Sequence, residues 1–250
     1  MLAGDLRPTG SAAALGGAPR PLRSPAVDDP LRLVLVLRRG AVAGLARACE
    51  LGGGAAVACV RDPAFAEAVQ AWRPRPGKVC LRARTDAQWA QVLELPHALA
   101  GEADGEAVAA LPPRRRSERG PLLERLQAMS TALEPIPPRA DAGDDRDAVT
   151  YVLNPAAGMS SGKTVAQVAH AAVMAADAGL GAWIDAGCPG RVVAPPPAVW
   201  AAVAAGPGVV ARVVDAGLTE VPPGTVTVIA LAHGPAAGLP ASLVDGASAG

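Results

Sequence analysis

A short apolar run, Val149 to Leu153, is followed by Gly158-Met159-Ser160-Ser161-Gly162-Lys163-Thr164 and then by an alanine-rich segment with helical spacing. The run suits a strand and the segment beyond it a helix, so the chain here reads strand, glycine loop, helix. That order points backbone N–H groups at whatever lies before the helix, which suits a negatively charged or electron-rich group. Lys163, Gln167 and His170 recur at i, i+4 and i+7, which places three polar side chains on one helical face.

The same alternation recurs on both sides of this stretch. Leu31–Arg38 reads as a strand between Pro30 and Gly40, and residues 41–51 and 63–71 as helices. Gly77–Ala83 reads as a second strand, and Thr85 to Leu95 as a helix capped by Thr85 or Asp86. Residues 103–111 carry no clear pattern, and Leu122 to Leu133 suggests a helix. Beyond the glycine loop, strands are expected at 191–194, 209–214 and 225–231. Helices are expected from Gly162 to Asp177 and from Pro197 to Ala205, the second stopped by Gly206.

This layout predicts an α/β protein with five regions. Residues 1–29 read as a disordered tail without the pattern of a secretory signal, and 30–111 as a degenerate α/β domain. Residues 112–147 read as a linker with one helix, 148–235 as a tighter α/β domain, and 236–250 as a flexible tail. With four Trp, one Tyr and one Phe in 250 residues, the cores must be filled by small aliphatic side chains. A faint repeat links the two domains. Trp72 and Trp89 stand as far apart as Trp183 and Trp200. Gly77-Lys78-Val79 lies between the first pair and Gly190-Arg191-Val192 between the second.

Charge and cysteine usage narrow the functional classes. The 23 basic and 23 acidic residues cancel, but only Lys163, Arg191 and Arg212 among the basic ones lie beyond residue 147. Global charge therefore gives no support for a nucleic-acid partner. Arg114-Arg115-Arg116 is a local exception, which fits a solvated linker or an RNA-backbone contact. Cys49, Cys59, Cys80 and Cys188 form no C-x-x-C pair and no cluster with histidine. Free thiols in a reducing, cytoplasmic setting are expected, with no metal site and no membrane span.

Two readings compete for the glycine loop. Gly162-Lys163-Thr164 invites a nucleotide phosphate loop, but Ala157 stands where its first glycine belongs and Gly158 leaves the loop one residue short. The second reading adds a later block, Asp215-Ala216-Gly217-Leu218-Thr219, followed by Pro223-Gly224-Thr225-Val226-Thr227. Together with Met159-Ser160-Ser161-Gly162-Lys163 and Ala166-Gln167-Val168-Ala169-His170-Ala171, this block resembles the type-II peptidyl-tRNA hydrolases over about residues 148–235.

The resemblance implies a three-layer domain with a mixed four-stranded sheet and helices on both faces. It also implies hydrolysis of the ester between a peptide and a tRNA 3′ ribose, without metal or cofactor. Lys163, Asp215 and Thr219 match the positions thought to act in catalysis. Ser161, Gly162, Gln167 and His170 match motif positions expected to meet the substrate. The implied partner is peptidyl-tRNA. The implied assembly is a homodimer, or an intrachain pseudo-dimer if residues 31–111 are a decayed copy. Asn154, Leu218 and Glu220 depart from the family pattern, which has an arginine, a basic residue and a glutamine there. The loss of basic side chains leaves open a catalytically weak tRNA- or protein-binding module, unless Arg73, Arg75, Lys78, Arg82 and Arg84 supply the charge.

Overall fold

The computed structural model describes residues 29–130, 132–136 and 148–232. The expected tails at 1–29 (except Asp29) and 236–250, and the acidic part of the expected linker, lie outside the described residues.

The first half runs β1 (Arg32–Arg38), α1 (Leu45–Arg61), α2 (Ala66–Trp72), β2 (Gly77–Ala83), α3 (Asp86–Leu93), β3 (Ala98–Gly101), β4 (Ala107–Arg114), α4 (Gly120–Arg125) and β5 (Gln127–Ala128). The second runs β6 (Val149–Leu153), α5 (Ser161–Asp177), α6 (Gly181–Asp185), β7 (Gly190–Val193), α7 (Pro197–Ala205), β8 (Val209–Val214) and β9 (Val226–Leu231). The protein is α/β with two mixed sheets, in the orders β3-β4-β1-β2-β5 and β7-β6-β9-β8.

The two sheets share one wiring. In the first, β1 pairs with β2 in parallel and with β4 antiparallel, and β3 joins β4 antiparallel. In the second, β6 pairs with β7 in parallel and with β9 antiparallel, and β8 joins β9 antiparallel. The tryptophan spacing follows the same plan. Trp72 Nε1 donates to Gly77 O at 2.7 Å and Trp183 Nε1 to Pro189 O at 2.7 Å, each at the entrance to the parallel strand of its sheet.

One apolar core joins the halves. It contains Leu33, Leu35 and Leu37 of β1, residues of α1 and α5, and Tyr151, Val228 and Ala230 of the second sheet. The outer face of the first sheet is covered by α3 and α4 through Trp89, Val92 and Leu123. The outer face of the second meets α7 through Val203. Helices thus cover both faces of each sheet, and the pair α1 and α5 forms the layer between them.

Four local outcomes differ from expectation. First, α1 does not stop near residue 51 but continues through Gly52-Gly53-Gly54. Each mid-helix glycine costs about 0.5–1 kcal/mol of helix propensity, but close packing against α5 favours glycine at two of them. A Cβ at Gly52 would lie 2.8 Å from Val165 Cγ1, and one at Gly53 3.3 Å from Ala172 Cβ. The glycines let α1 and α5 approach closely.

Second, the patternless segment is β4, a central strand. Residues Ala107–Leu111 are buried on both faces, so the alternation that marks a half-exposed strand is missing. Its Pro112 and Pro113 come after the last β3 partner, Ala110, where only the β1 side is paired. Third, the helix expected over 122–133 occupies only Gly120–Arg125. The chain then becomes extended at Leu126 and adds a short edge strand to β2. The expected linker thus begins inside β4 and supplies part of the first sheet. Fourth, α6 and β3 are short elements that the sequence pattern did not announce.

Candidate functional site

The site lies where the first turn of α5 faces the loop between β8 and β9. Ser160 caps α5, its Oγ accepting from Lys163 N at 3.3 Å, while Thr164 Oγ1 donates to Ser160 O at 2.9 Å. This cap holds Lys163 at the third helical position. Gln167 follows one turn later on the same face.

The opposite wall is built around Asp215, the residue after β8. Its backbone N–H donates to Thr225 O at 2.8 Å, and Gly224 N–H donates to Asp215 O at 2.8 Å, closing the neck of the loop. The Asp215 side chain then shapes the turn, as Oδ1 accepts from Gly217 N at 2.8 Å. Gly217 has φ +73°, and a Cβ there would sit 2.5 Å from Pro223 N, so glycine is required twice over.

These walls meet in one cluster. Lys163 Nζ donates to Asp215 Oδ2 and, at 3.0 Å, to Thr219 Oγ1. Gln167 Nε2 donates to Asp215 Oδ2 at 2.5 Å. The Lys163 side chain is 15% exposed and that of Asp215 6%, so the ion pair is largely shielded from water. Burial works to raise the Asp215 carboxyl. The hydrogen bond from Lys163, the Gly217 amide, the Lys163 charge and Gln167 together outweigh it and hold the group below its usual range. Asp215 is therefore ionised at neutral pH.

Sequence expectation named Lys163, Gln167, Asp215 and Thr219, and the fold brings these four together. It places the other three elsewhere. The Ser161 side chain accepts from Leu133 N at 3.0 Å and is buried. A Cβ on Gly162 would lie 2.2 Å from Met129 O, so this glycine admits the crossing chain. Both residues thus dock the segment that leaves β5. His170 lies one turn beyond Gln167 on α5. Burial, then the nearby Lys78 charge, lowers its pKa to about 3.

The basic residues of the first half are partly spent on internal contacts. Arg73 Nη1 binds Asp177 Oδ2 of α5 at 2.5 Å. Lys78 Nζ lies 4.7 Å from the centre of the Trp72 ring, buried and without a hydrogen-bond partner. In the basic run, Arg115 Nη1 donates to Asp29 O at 2.7 Å and the Arg116 amide to Asp29 Oδ1 at 2.8 Å. Asn154 is also structural: its Nδ2 donates to Val226 O at 2.8 Å and its Oδ1 accepts from Ala156 N at 2.9 Å.

The sequence marked Glu220 only as a departure from the family pattern and gave Ser160 no role of its own, yet the two meet at the site. Ser160 N donates to Glu220 Oε2 at 2.7 Å, and Ser160 Oγ donates to Glu220 Oε1 at 2.8 Å. A serine just before a helical segment is an N-cap signal, so Ser160 could have been found. Nothing local marks Glu220 as its partner. Among the described residues no group of three or more His, Cys, Asp or Glu could hold a metal ion, and no helix is long and apolar enough to cross a membrane. All four cysteines are free.

No protein-family model, curated protein or solved structure matches the chain.

Proposed function

We propose that the protein hydrolyses the ester bond between a peptide and the 3′ ribose of a tRNA, in the cytoplasm. One observation carries the reading: Lys163, Gln167, Asp215 and Thr219, drawn from two blocks far apart in sequence, form a single hydrogen-bonded cluster around the buried Asp215 carboxylate. These blocks are also the ones that resemble the type-II peptidyl-tRNA hydrolases.

In this reading water adds to the ester carbonyl and the carbonyl oxygen gains negative charge. The bond to the ribose oxygen then breaks, and that oxygen takes up a proton originating from the water. The Lys163 ammonium is the compact positive charge available to the developing oxyanion. A carboxylate held below its usual pKa is a weak base. Asp215 therefore acts by orienting the water and Lys163, with Gln167 fixing its Oδ2 and Gly217 its Oδ1. The Thr219 hydroxyl accepts from Lys163 and can donate to substrate.

The first half fills the role of a second subunit in this proposal. Its strand order matches that of the second half, and α1 packs on α5 across a shared core. A monomer by sedimentation equilibrium is the expected result, and a stable dimer contradicts this part of the reading.

A second reading, a catalytically weak tRNA- or protein-binding module, draws on the surface beside the site. Leu218 is 73% exposed where the family pattern has a basic residue, and Asn154 is tied into main-chain contacts. Release of peptide from a peptidyl-tRNA by the wild type and by Asp215→Ala separates the two. Hydrolysis requires a loss of about 100-fold or more in the variant. Equal rates remove Asp215 from catalysis, and no release by the wild type selects the binding module.

A further inference from the structure

Glu220 lies next to Thr219 in the β8–β9 loop, and the two side chains reach the same turn of α5 by different routes. Thr219 Oγ1 accepts from Lys163 Nζ at 3.0 Å. The Glu220 carboxylate accepts from the Ser160 backbone at 2.7 Å and from the Ser160 hydroxyl at 2.8 Å. The same Ser160 hydroxyl oxygen accepts from the Lys163 backbone N–H. A closed circuit results: Lys163 main chain, Ser160, Glu220, Thr219, Lys163 ammonium. Both ends of a long side chain are fixed by two adjacent loop residues.

The first half shows what the arrangement looks like without this circuit. α1 is capped by Gly44, with no side-chain cap. Its third residue, Arg47, meets Glu106 at 3.3 Å, and both side chains stay about half exposed, at 49% and 48%. The loop joining β3 to β4 spans only residues 102–106, against 215–225 between β8 and β9. The short loop reaches the start of α1 through Glu106, and no acid of it meets the cap residue Gly44, which has no side chain to offer. Shielding of the ion pair goes with the tie.

We infer that Glu220 is a positioning residue, clasping the β8–β9 loop to the α5 cap so that Thr219 and Asp215 hold Lys163 in its reactive geometry. Glu220 acts through Ser160 and Thr219, not on substrate. A carboxylate suits the task because the first turn of a helix favours negative charge and because each oxygen accepts one bond. A glutamine of the same length keeps an acceptor for the Ser160 amide, and its NH₂ can donate to the Ser160 oxygen.

The catalytic arm of the test rests on the hydrolase reading; the chemical arm does not. Peptide release is measured as kcat and KM for the full-length wild type, Glu220→Ala, Glu220→Gln and Ser160→Ala. In parallel, acetylation of Lys163 by limiting acetic anhydride is followed by peptide mass spectrometry. Glu220→Ala and Ser160→Ala are expected to lower kcat by roughly 10-fold with little change in KM, because a small misplacement in a reactive constellation is costly. Lys163 should be acetylated several-fold faster in both. Glu220→Gln should stay within about 3-fold of wild type in both arms.

If no form releases peptide but Lys163 reactivity still rises in the alanine variants and not in Glu220→Gln, the clasp stands and the hydrolase reading falls. Wild-type Lys163 reactivity in folded Glu220→Ala overturns the clasp. So does equal damage from the glutamine and alanine variants. Should Glu220→Ala not fold, Ser160→Ala cuts the same circuit from the helix side, and wild-type behaviour there overturns the inference equally.

Discussion

Lys163 is the third residue of α5 and Arg47 the third residue of α1, two helices that follow equivalent strands in equivalently ordered sheets. Each finds an acid from the loop of the antiparallel hairpin in its own sheet, Asp215 in one case and Glu106 in the other. The resemblance ends there. Asp215 is 6% exposed and also held by Gln167 and Gly217, while Glu106 is about half exposed and bonds Arg47, which is shared with Glu50 at 3.6 Å. Where the second half has Gln167, one turn on from Lys163, the first has Leu51, a core residue. The same scaffold thus supports a solvated surface contact in one half and, in the other, a structured polar cluster buried at Asp215 and Gln167 and open at Thr219. Wiring of strands does not make a site; loop length and the residues that tie the loop down do.

The comparison can be broken most severely through the ion pairs themselves. Asp215→Ala leaves the Lys163 ammonium shielded and unpaired and should cost about 3–4 kcal/mol in urea unfolding. Glu106→Ala should cost no more than about 0.5 kcal/mol, because exposed pairs contribute little. Similar losses in the two would show that the pairs are equivalent after all.

The seam between halves comes next. A valine at Gly52 must displace Val165, and Gly52→Val should destabilise the protein by about 2–3 kcal/mol in the same assay. Loss confined to one half, with the other unfolding separately at its original midpoint, would contradict a shared core.

The third test is acid. His170 is kept neutral in the fold, with its pKa lowered to about 3 by burial and then by Lys78. The unfolded chain takes up this proton near pH 6.5, so the stabilisation is complete above that value and is lost as pH falls from 6.5 towards 3. The expected loss is on the order of 3 kcal/mol between pH 7 and 4, and His170→Asn should flatten that slope. Asp215 has its pKa lowered from 3.8 and contributes above that value, losing its contribution only at lower pH. The smallest effect has the opposite sign. Lys78→Met replaces a buried amine that lacks a hydrogen-bond partner and should raise stability by about 1 kcal/mol, read as a higher midpoint in thermal unfolding.

Much of the second half was legible in sequence because its signals are local. Val149–Leu153, the run from Gly162 to Asp177 and the proline-led helix ending at Gly206 each carry their own start and stop. Lys163 and Gln167 stood out by their spacing on a helix, whereas Asp215 and Thr219 were singled out by the resemblance of their block to the hydrolase family. The first half resisted for a physical reason. The Gly52–Gly54 run contradicts helix propensity, and the neighbouring helix explains Gly52 and Gly53. Strand β4 lacks alternation because both its faces are covered. The roles of Ser161 and Gly162 depend on the segment at Met129 and Leu133, and that of Glu220 on Ser160, all long-range meetings that no local pattern encodes.

In the proposed function one half of the molecule carries the chemistry and the other carries only its geometry. The most direct measurement compares peptide release from a peptidyl-tRNA by Lys163→Met and Arg47→Met, each against wild type under identical conditions. The expected result is a loss of about 100-fold or more for Lys163→Met and a rate within about 2-fold of wild type for Arg47→Met. Comparable losses in both variants, or an active Lys163→Met protein, would contradict it.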